Sequence, residues 1–304
     1  MTSSPKKILI IRLSALGDIV LSFPAFAAIR AHHPATQITL LTTAPYAQLL
    51  GASPWFDHLE IDARPKWWNF TGLSRLTQQL RGYDMVYDLQ TSSRTSHYFD
   101  LAGRPQWSGI AAGCSHPDTN KNRDFIHTAE RQHGQLSDAG IDNFPAPNLD
   151  FLRSHGPVIA TPYIVLVPGT SGAHEGAKTW PLSHFRTLAA TIAAQNFTPV
   201  IVGAKHDHPA VSEANTTIDL SGRTNLLELA GVLARAHAVI GADTGPLHLA
   251  AALDTNTLTL FGPATDPNLT APRSPTKSHT TVLRAEKNMS DLTPDRVAAA
   301  LLGL

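Results

Sequence analysis

Sulfur chemistry is nearly absent from this chain. Among 304 residues there is one cysteine, Cys114. An internal disulfide is therefore excluded, and a reducing compartment fits. Long apolar runs are missing as well: no stretch approaches the roughly 20 residues of a membrane span. After Lys6 and Lys7 the N-terminus enters only a short strand, Ile8 to Arg12, without the longer apolar core and cleavage site of a signal peptide. The expectation is a cytoplasmic protein with, at most, peripheral membrane contact. Excess charge of one sign is lacking too. Lys plus Arg equals Asp plus Glu at 24 each, so no global field attracts nucleic acid. The 15 histidines include the pairs His32-His33 and His206-Asp207-His208, but neither has the i,i+4 spacing of a helical zinc site. No metal is expected.

What is present is alternation. Apolar content of 42% supports real cores. Lys7 to Arg12, Gln37 to Thr42, Leu59 to Asp62 and Met85 to Leu89 read as strands. Asp18 to Ala31 and Thr71 to Arg81 read as helices, and 125–140 as a possible return to helix after the irregular stretch 113–123. This βαβα order argues for a parallel sheet covered by helices. A Pro- and Gly-rich break follows, through Phe144-Pro145-Ala146-Pro147 and His155-Gly156-Pro157. Then the alternation restarts at Tyr163 and closes with a helix over Asp291 to Leu302, capped by Thr293 or Ser290. Two doubly wound halves, with ligands beyond the carboxyl ends of the strands, are the economical architecture.

Several strand-to-helix loops bear chemistry. The run Ala238-Val239-Ile240 leads into Gly241-Ala242-Asp243-Thr244-Gly245-Pro246-Leu247-His248. Asp243 and Thr244 sit where an N-cap belongs and Pro246 suits the first turn. Such a helix start offers N–H groups and a positive dipole end to an anion, most often phosphate. It also suits an ordinary capped turn. The loop Pro168 to Pro181 offers the hydroxyls of Thr170 and Ser171 and the ammonium of Lys178, groups that suit a diphosphate. It is not a P-loop, because Ala177 stands at the second Gly position. Asp219, near a strand end, suits either a ribose hydroxyl or a cap on the turn at Ser221-Gly222.

In the first half, the loop Arg12-Leu13-Ser14-Ala15-Leu16-Gly17-Asp18 lacks G-x-G-x-x-G, which counts against an NAD(P) enzyme. Asp18 reads either as a helix cap or as a carboxylate able to take a proton from an attacking hydroxyl. Ser14 and Gly17 lie beside it. Asp88-Leu89-Gln90-Thr91-Ser92-Ser93-Arg94 ends another strand, so Asp88, Gln90 and Arg94 are candidates for the acceptor side; a routine turn with a Ser cap is the alternative. Lys66-Trp67-Trp68-Asn69-Phe70 suits a lipid headgroup boundary, a sugar platform or a local core.

In register, the segments Lys7 to Asp18, Asp88-Leu89-Gln90, Ala177 to Pro181 and Asp243 to Ala251 resemble the ADP-heptose:lipopolysaccharide heptosyltransferases, glycosyltransferase family 9. The resemblance implies an α/β GT-B fold: two Rossmann-like, doubly wound domains facing each other across a cleft. The expected boundaries are an acceptor domain at 1–157, a nucleotide-sugar domain at 158–290, and a helix at 291–304 crossing back to the N-terminal domain. It implies an inverting transferase with Asp18 as base. Asp243, Thr244, Gly245 and His248 would hold the sugar nucleotide and Lys178 its phosphates, with Thr170 and Ser171 on the same side; Asp219 has no match in the family pattern and stays a donor-side candidate from its strand-end position. ADP-heptose would be the co-substrate, with no metal. A lipid-linked saccharide of the lipopolysaccharide inner core would be the acceptor, reached by weak peripheral contact with the inner face of the inner membrane. The alternatives are a GT-B transferase or epimerase on another nucleotide sugar, and a non-catalytic nucleotide-binding module.

Overall fold

The computed structural model describes residues 5–160, 162–170, 175–204, 217–276 and 280–303, the side chains of 175 and 176 excepted. The chain divides into two compact units, Met1–Asn148 and Leu149–Leu304.

The first unit holds six strands: β1 (Lys7–Ile11), β2 (Gln37–Thr42), β3 (His58–Ile61), β4 (Met85–Asp88), β5 (Gln106–Gly109) and β6 (His116–Pro117). All pair in parallel, in the order β3-β2-β1-β4-β5-β6. Helices α1 (Leu16–Leu21), α2 (Phe23–His32), α3 (Ala44–Gly51), α4 (Phe70–Leu80), α5 (Ser93–Leu101) and α6 (Thr128–Asp138) accompany them. β1 is the central strand, and its run KILII is buried from Ile8 onward. A strand covered on both faces has no polar alternation, which is why it reads as continuous apolar sequence.

The second unit repeats the plan. Its strands are β7 (Tyr163–Val167), β8 (Thr198–Ile201), β9 (Ile218–Asp219), β10 (Ala238–Ala242), β11 (Asn256–Phe261) and β12 (Thr280–Arg284), in the order β12-β11-β10-β7-β8-β9. Counted from its own first strand, this is the order of the first unit. The helices are α7 (Asp150–Arg153), α8 (Glu175–Lys178), α9 (Leu182–Ala194), α10 (Leu226–Ala234), α11 (Gly245–Ala252), α12 (Pro267–Thr270) and α13 (Pro294–Leu302). In each sheet the strand order reverses beside the first strand. The β1/β4 and β7/β10 carboxyl ends are therefore the places where loops diverge and a ligand finds room.

The division falls at 148/149, earlier than the expected 157. The Pro/Gly stretch is tied to the second unit: Arg235 donates to the carbonyls of Arg153, His155 and Pro157 at 2.7, 3.0 and 2.9 Å. The closing helix α13 starts after Thr293, whose hydroxyl accepts from Arg296 N–H at 3.4 Å. The expectation for this helix is a crossing back to the N-terminal domain. Its buried face, Val297, Ala298 and Leu301, lies in the second unit's core with Phe185 and Leu188 of α9. Elements without a counterpart in the sequence reading include the short helices α3, α7, α8 and α12 and the strands β5, β6 and β12. β6 is two residues long, and β12 is half-exposed at a sheet edge. Neither carries an apolar run, so a neighbouring strand's backbone, rather than pattern, makes them strands.

Candidate active site

In the first unit the site grows from the ends of β1 and β4. Arg12 follows β1 and is almost wholly buried. One arm donates to the Leu89 carbonyl at 2.6 Å, and the other lies 3.4 Å from an Asp18 carboxylate oxygen. Asp18 occupies the first turn of α1 and accepts from Ala15 N–H at 3.2 Å, so it does cap its helix. Its side chain nevertheless remains 43% exposed. Capping and availability to a substrate coexist because the second carboxylate oxygen faces Arg12 and an opening.

That opening is a cavity of about 160 Å³ lined by Arg12, Asp18, Gln90, Arg123, Arg131 and Gln132, among others. Three guanidinium groups and one carboxylate share it. Arg123 is backed by Asp118 at 2.7 Å, and Arg131 by Asp124 at 3.8 Å. Burial, and then the Arg123 charge, work against the charge on Arg131. Arg12 Nε and Gln132 Oε1 are buried without a hydrogen-bond partner among the described residues. Buried polar groups are normally paired, so unspent capacity beside a cavity is a mark of a binding place.

The other first-unit candidates divide by role. Gln90 Oε1 accepts from the N–H groups of Leu13 and Ser14 at 2.8 and 3.2 Å, which clamps the Asp18 loop to the β4 loop. Ser14 Oγ accepts from Arg64 at 2.5 Å. Gly17 lies within α1. Asp88, expected on the acceptor side, is fully buried. Its Oδ1 accepts from Gln90 and Thr91 N–H at 3.1 and 3.0 Å, so it shapes its own loop. Burial pushes its carboxyl up to about 6, against those N–H groups, the Thr95 hydroxyl and the Arg12 charge. Arg94 is turned away from the cavity lining: it donates to Tyr98 Oη at 2.7 Å and to the Pro65 carbonyl at 2.6 Å.

In the second unit the ends of β7 and β10 meet through Asp243. Its Oδ1 lies 3.1 Å from His248 Nε2, and its Oδ2 lies 3.4 Å from Lys178 Nζ and accepts from Thr270 Oγ1 at 3.1 Å. Burial would raise this carboxyl, yet the His248 contact, the Lys178 charge and the Thr270 hydroxyl outweigh it and hold it below the usual range. Gly241 makes the seat: a Cβ there would stand 2.7 Å from the Val167 carbonyl at the end of β7 and 2.9 Å from the tip of Leu247, so glycine fits the end of β10 between them. Thr244 is the N-cap residue, but its hydroxyl donates back to Ala242 O at 3.2 Å. The N–H groups of Leu247 and His248 both turn to Thr244 O, and Pro246 has none. The helix start therefore offers an anion the Gly245 end and little more. Thr170 and Thr179 join hydroxyls at 2.8 Å. Asp219 Oδ1 accepts from Ser221 N–H at 2.9 Å, which is the turn cap. Ser171, His206 and His208 lie outside the described residues.

A family model described as glycosyltransferase family 9 (heptosyltransferase) matches residues 73–297. The chain belongs to glycosyltransferase family 9. Lipooligosaccharide heptosyltransferase 2 of Haemophilus ducreyi is 26% identical to it, covering 97% of this chain and 98% of the relative. Among solved structures, E. coli heptosyltransferase WaaC with ADP superposes with a TM-score of 0.80 at 23% identity, covering 97% of this chain and 98% of that one. E. coli ADP-heptose heptosyltransferase II does so at 0.75 and 21%, covering 96% of each chain. The fold is GT-B, and the protein is a glycosyltransferase of the heptosyltransferase family.

In this glycosyltransferase the structure brings Lys178 to Asp243 and His248, 65 positions after it and beyond, and it joins Gln90 to the Asp18 loop. Arg94 and Asp219 bond elsewhere, Arg94 to Tyr98 and Pro65 and Asp219 to its own turn. The sequence reading misses Arg12, Arg123, Arg131 and Gln132 as site residues. A signal is there for α6. Thr128, Gln132 and Gln135, at i, i+4 and i+7, are polar residues on the buried stripe of a helix. Polar side chains at core positions need partners, and here the partners surround a cavity.

Proposed function

We propose that this enzyme transfers heptose from ADP-heptose to a sugar of the lipopolysaccharide inner core, with inversion and with Asp18 as general base. The observation that carries the reading is the half-exposed Asp18 carboxylate, held by buried Arg12 at the rim of a cavity lined by arginines. Guanidinium groups suit carboxylate or phosphate on the acceptor. Asp18 takes the proton of the acceptor hydroxyl as its oxygen attacks the anomeric carbon. The bond from that carbon to the diphosphate breaks, and ADP leaves with the electron pair. The second unit binds the nucleotide. Lys178, pre-oriented by Asp243, and the Gly245 end of α11 meet charge that grows on the leaving phosphate, which favours the transition state over the ground state. This charge is met without a metal ion. Among the described residues no helix is long and apolar enough to cross a membrane. The reading adds a lipid-linked acceptor reached by peripheral contact at the inner face of the inner membrane.

The test is Asp18→Asn. ADP affinity should hold while kcat falls roughly 10²–10⁴-fold, the usual cost of losing a general base. Near-normal turnover would return Asp18 to helix capping alone.

A further inference from the structure

The first unit leaves a cluster of large apolar side chains in water. Trp68 is 71% exposed, Phe70 80% and Trp67 44%, all at the entry to α4. The other three tryptophans, Trp55, Trp107 and Trp180, are buried. α4 meets its own core through Leu76 and Leu80, so these aromatics are not needed there. Contiguous exposed apolar surface normally has a partner. Along the chain between Asp62 and Asp84 the charge is one-sided. Residues 63–83 contain Arg64, Lys66, Arg75 and Arg81, all exposed, and no Asp or Glu, in a chain of zero net charge. Lys66 Nζ sits 5.3 Å from the Trp68 ring centre, and the Arg94 guanidinium 5.0 Å from that of Trp67.

This composition selects among partners. Aromatic platforms for neutral sugars need nearby acceptors for hydroxyl hydrogens. Here the segment has no carboxylate, the acceptor that holds sugar hydroxyls most strongly, and the Asn69 oxygen already accepts from Gly72 N–H at 2.9 Å. Indole rings beside cations fit the headgroup layer of a membrane, where the ring stays in the interface and the cation meets phosphate. We infer that residues 64–75 form a docking face for an anionic phospholipid bilayer. Arg64 also donates to Ser14 Oγ at 2.5 Å, so the docked face adjoins the loop that bears Asp18. Docking would bring the arginine-lined cavity to the lipid surface. The inference agrees with the lipid-linked acceptor proposed above but does not depend on heptosyl transfer, and a glycan-free membrane tests it separately.

The experiment uses the full chain and vesicles of equal parts phosphatidylglycerol and phosphatidylcholine, without glycolipid. Co-sedimentation should show binding at least tenfold tighter than to pure phosphatidylcholine. Intrinsic fluorescence should shift to the blue, since Trp67 and Trp68 are the tryptophans in water. At 0.5 M salt binding should fall, because screening shortens the reach of each charge. Lys66→Ala and Arg75→Ala should each cost about fivefold. The double variant Trp68→Ser/Phe70→Ser should lose tenfold or more while kcat/KM on a lipid-free acceptor sugar stays at the wild-type value. Equal binding to both vesicle types, or full binding by the double variant, would overturn the inference. So would a blue shift given by the soluble acceptor sugar and not by vesicles, which would assign the face to the glycan. A dimer dispersed by the double variant would assign it to a second copy of the chain. Failure here leaves the Asp18→Asn result untouched, so the two readings fall independently.

Discussion

Asp88 offers a sharp test because the structure moves it from a cavity wall to the interior. Its carboxyl is fully buried, its Oδ2 has no hydrogen-bond donor among the described residues, and burial pushes its pKa up to about 6 from an ordinary 3.8. The folded state therefore holds the proton more tightly than the unfolded state. The sign follows: for a carboxyl whose folded pKa is raised, stability is lost as pH rises from the unfolded value through the folded one. Two pH units correspond to about 3 kcal/mol lost by pH 7.5, of which about 1 is already lost at pH 4.5. Asp88→Asn keeps an oxygen for the Gln90 and Thr91 N–H groups but cannot ionise. Its amide would bring buried donors of its own, at a cost of about 1–3 kcal/mol, so the absolute stability change is a small difference of opposing terms. The pH dependence is cleaner. Relative to wild type, the variant should gain about 2 kcal/mol between pH 4.5 and 7.5. Urea unfolding of both proteins at the two pH values measures this, followed by the transition of the first unit, whose core contains Trp107. Parallel wild-type and variant profiles would refute the reasoning and mean that Asp88 ionises without penalty.

Three further outcomes follow from the second unit and the proposed chemistry. Lys178→Ala and His248→Ala should each weaken ADP binding, read by calorimetry, by about 1.5–3 kcal/mol, the worth of a charge-assisted hydrogen bond; unchanged affinity in both would end the donor assignment. Turnover should survive EDTA, because Lys178 and the α11 start are proposed to meet the diphosphate charge; inactivation rescued by Mg²⁺ or Mn²⁺ would show that a cation does so. Gly231→Ala should destabilise the second unit by about 1–3 kcal/mol or more, since a Cβ there would collide with the His155 carbonyl and backbone must move; a melting temperature equal to wild type would contradict the close approach.

Strands β1, β7 and β10 are legible in the amino-acid sequence because parallel strands buried on both faces demand unbroken apolar runs. The loops after them are legible because chain polarity sends every strand's carboxyl end to the same side. From this alone follow the α/β class, the two-unit plan and the place of Asp18, Lys178 and Asp243 in loops beyond strand ends; the roles proposed for them and for His248 come from the family resemblance. Partnership is another matter. A carboxylate at a strand end has the same local sequence whether it faces water, as Asp18 does, or lies beneath its loop, as Asp88 does. Exposure depends on what α6 and Arg12 place around it. Asp243 looks like a phosphate-loop residue in one dimension. Folding brings Lys178 and Thr270 to it from 65 positions before and 27 after and turns it into their anchor. The arginine-lined cavity draws on β1, the β4 loop and α6, elements that become neighbours only when the sheet order is set. Periodicity records which face of an element is buried. It does not record which other element covers that face, and that pairing decides which charges are spent inside the fold and which remain for a substrate.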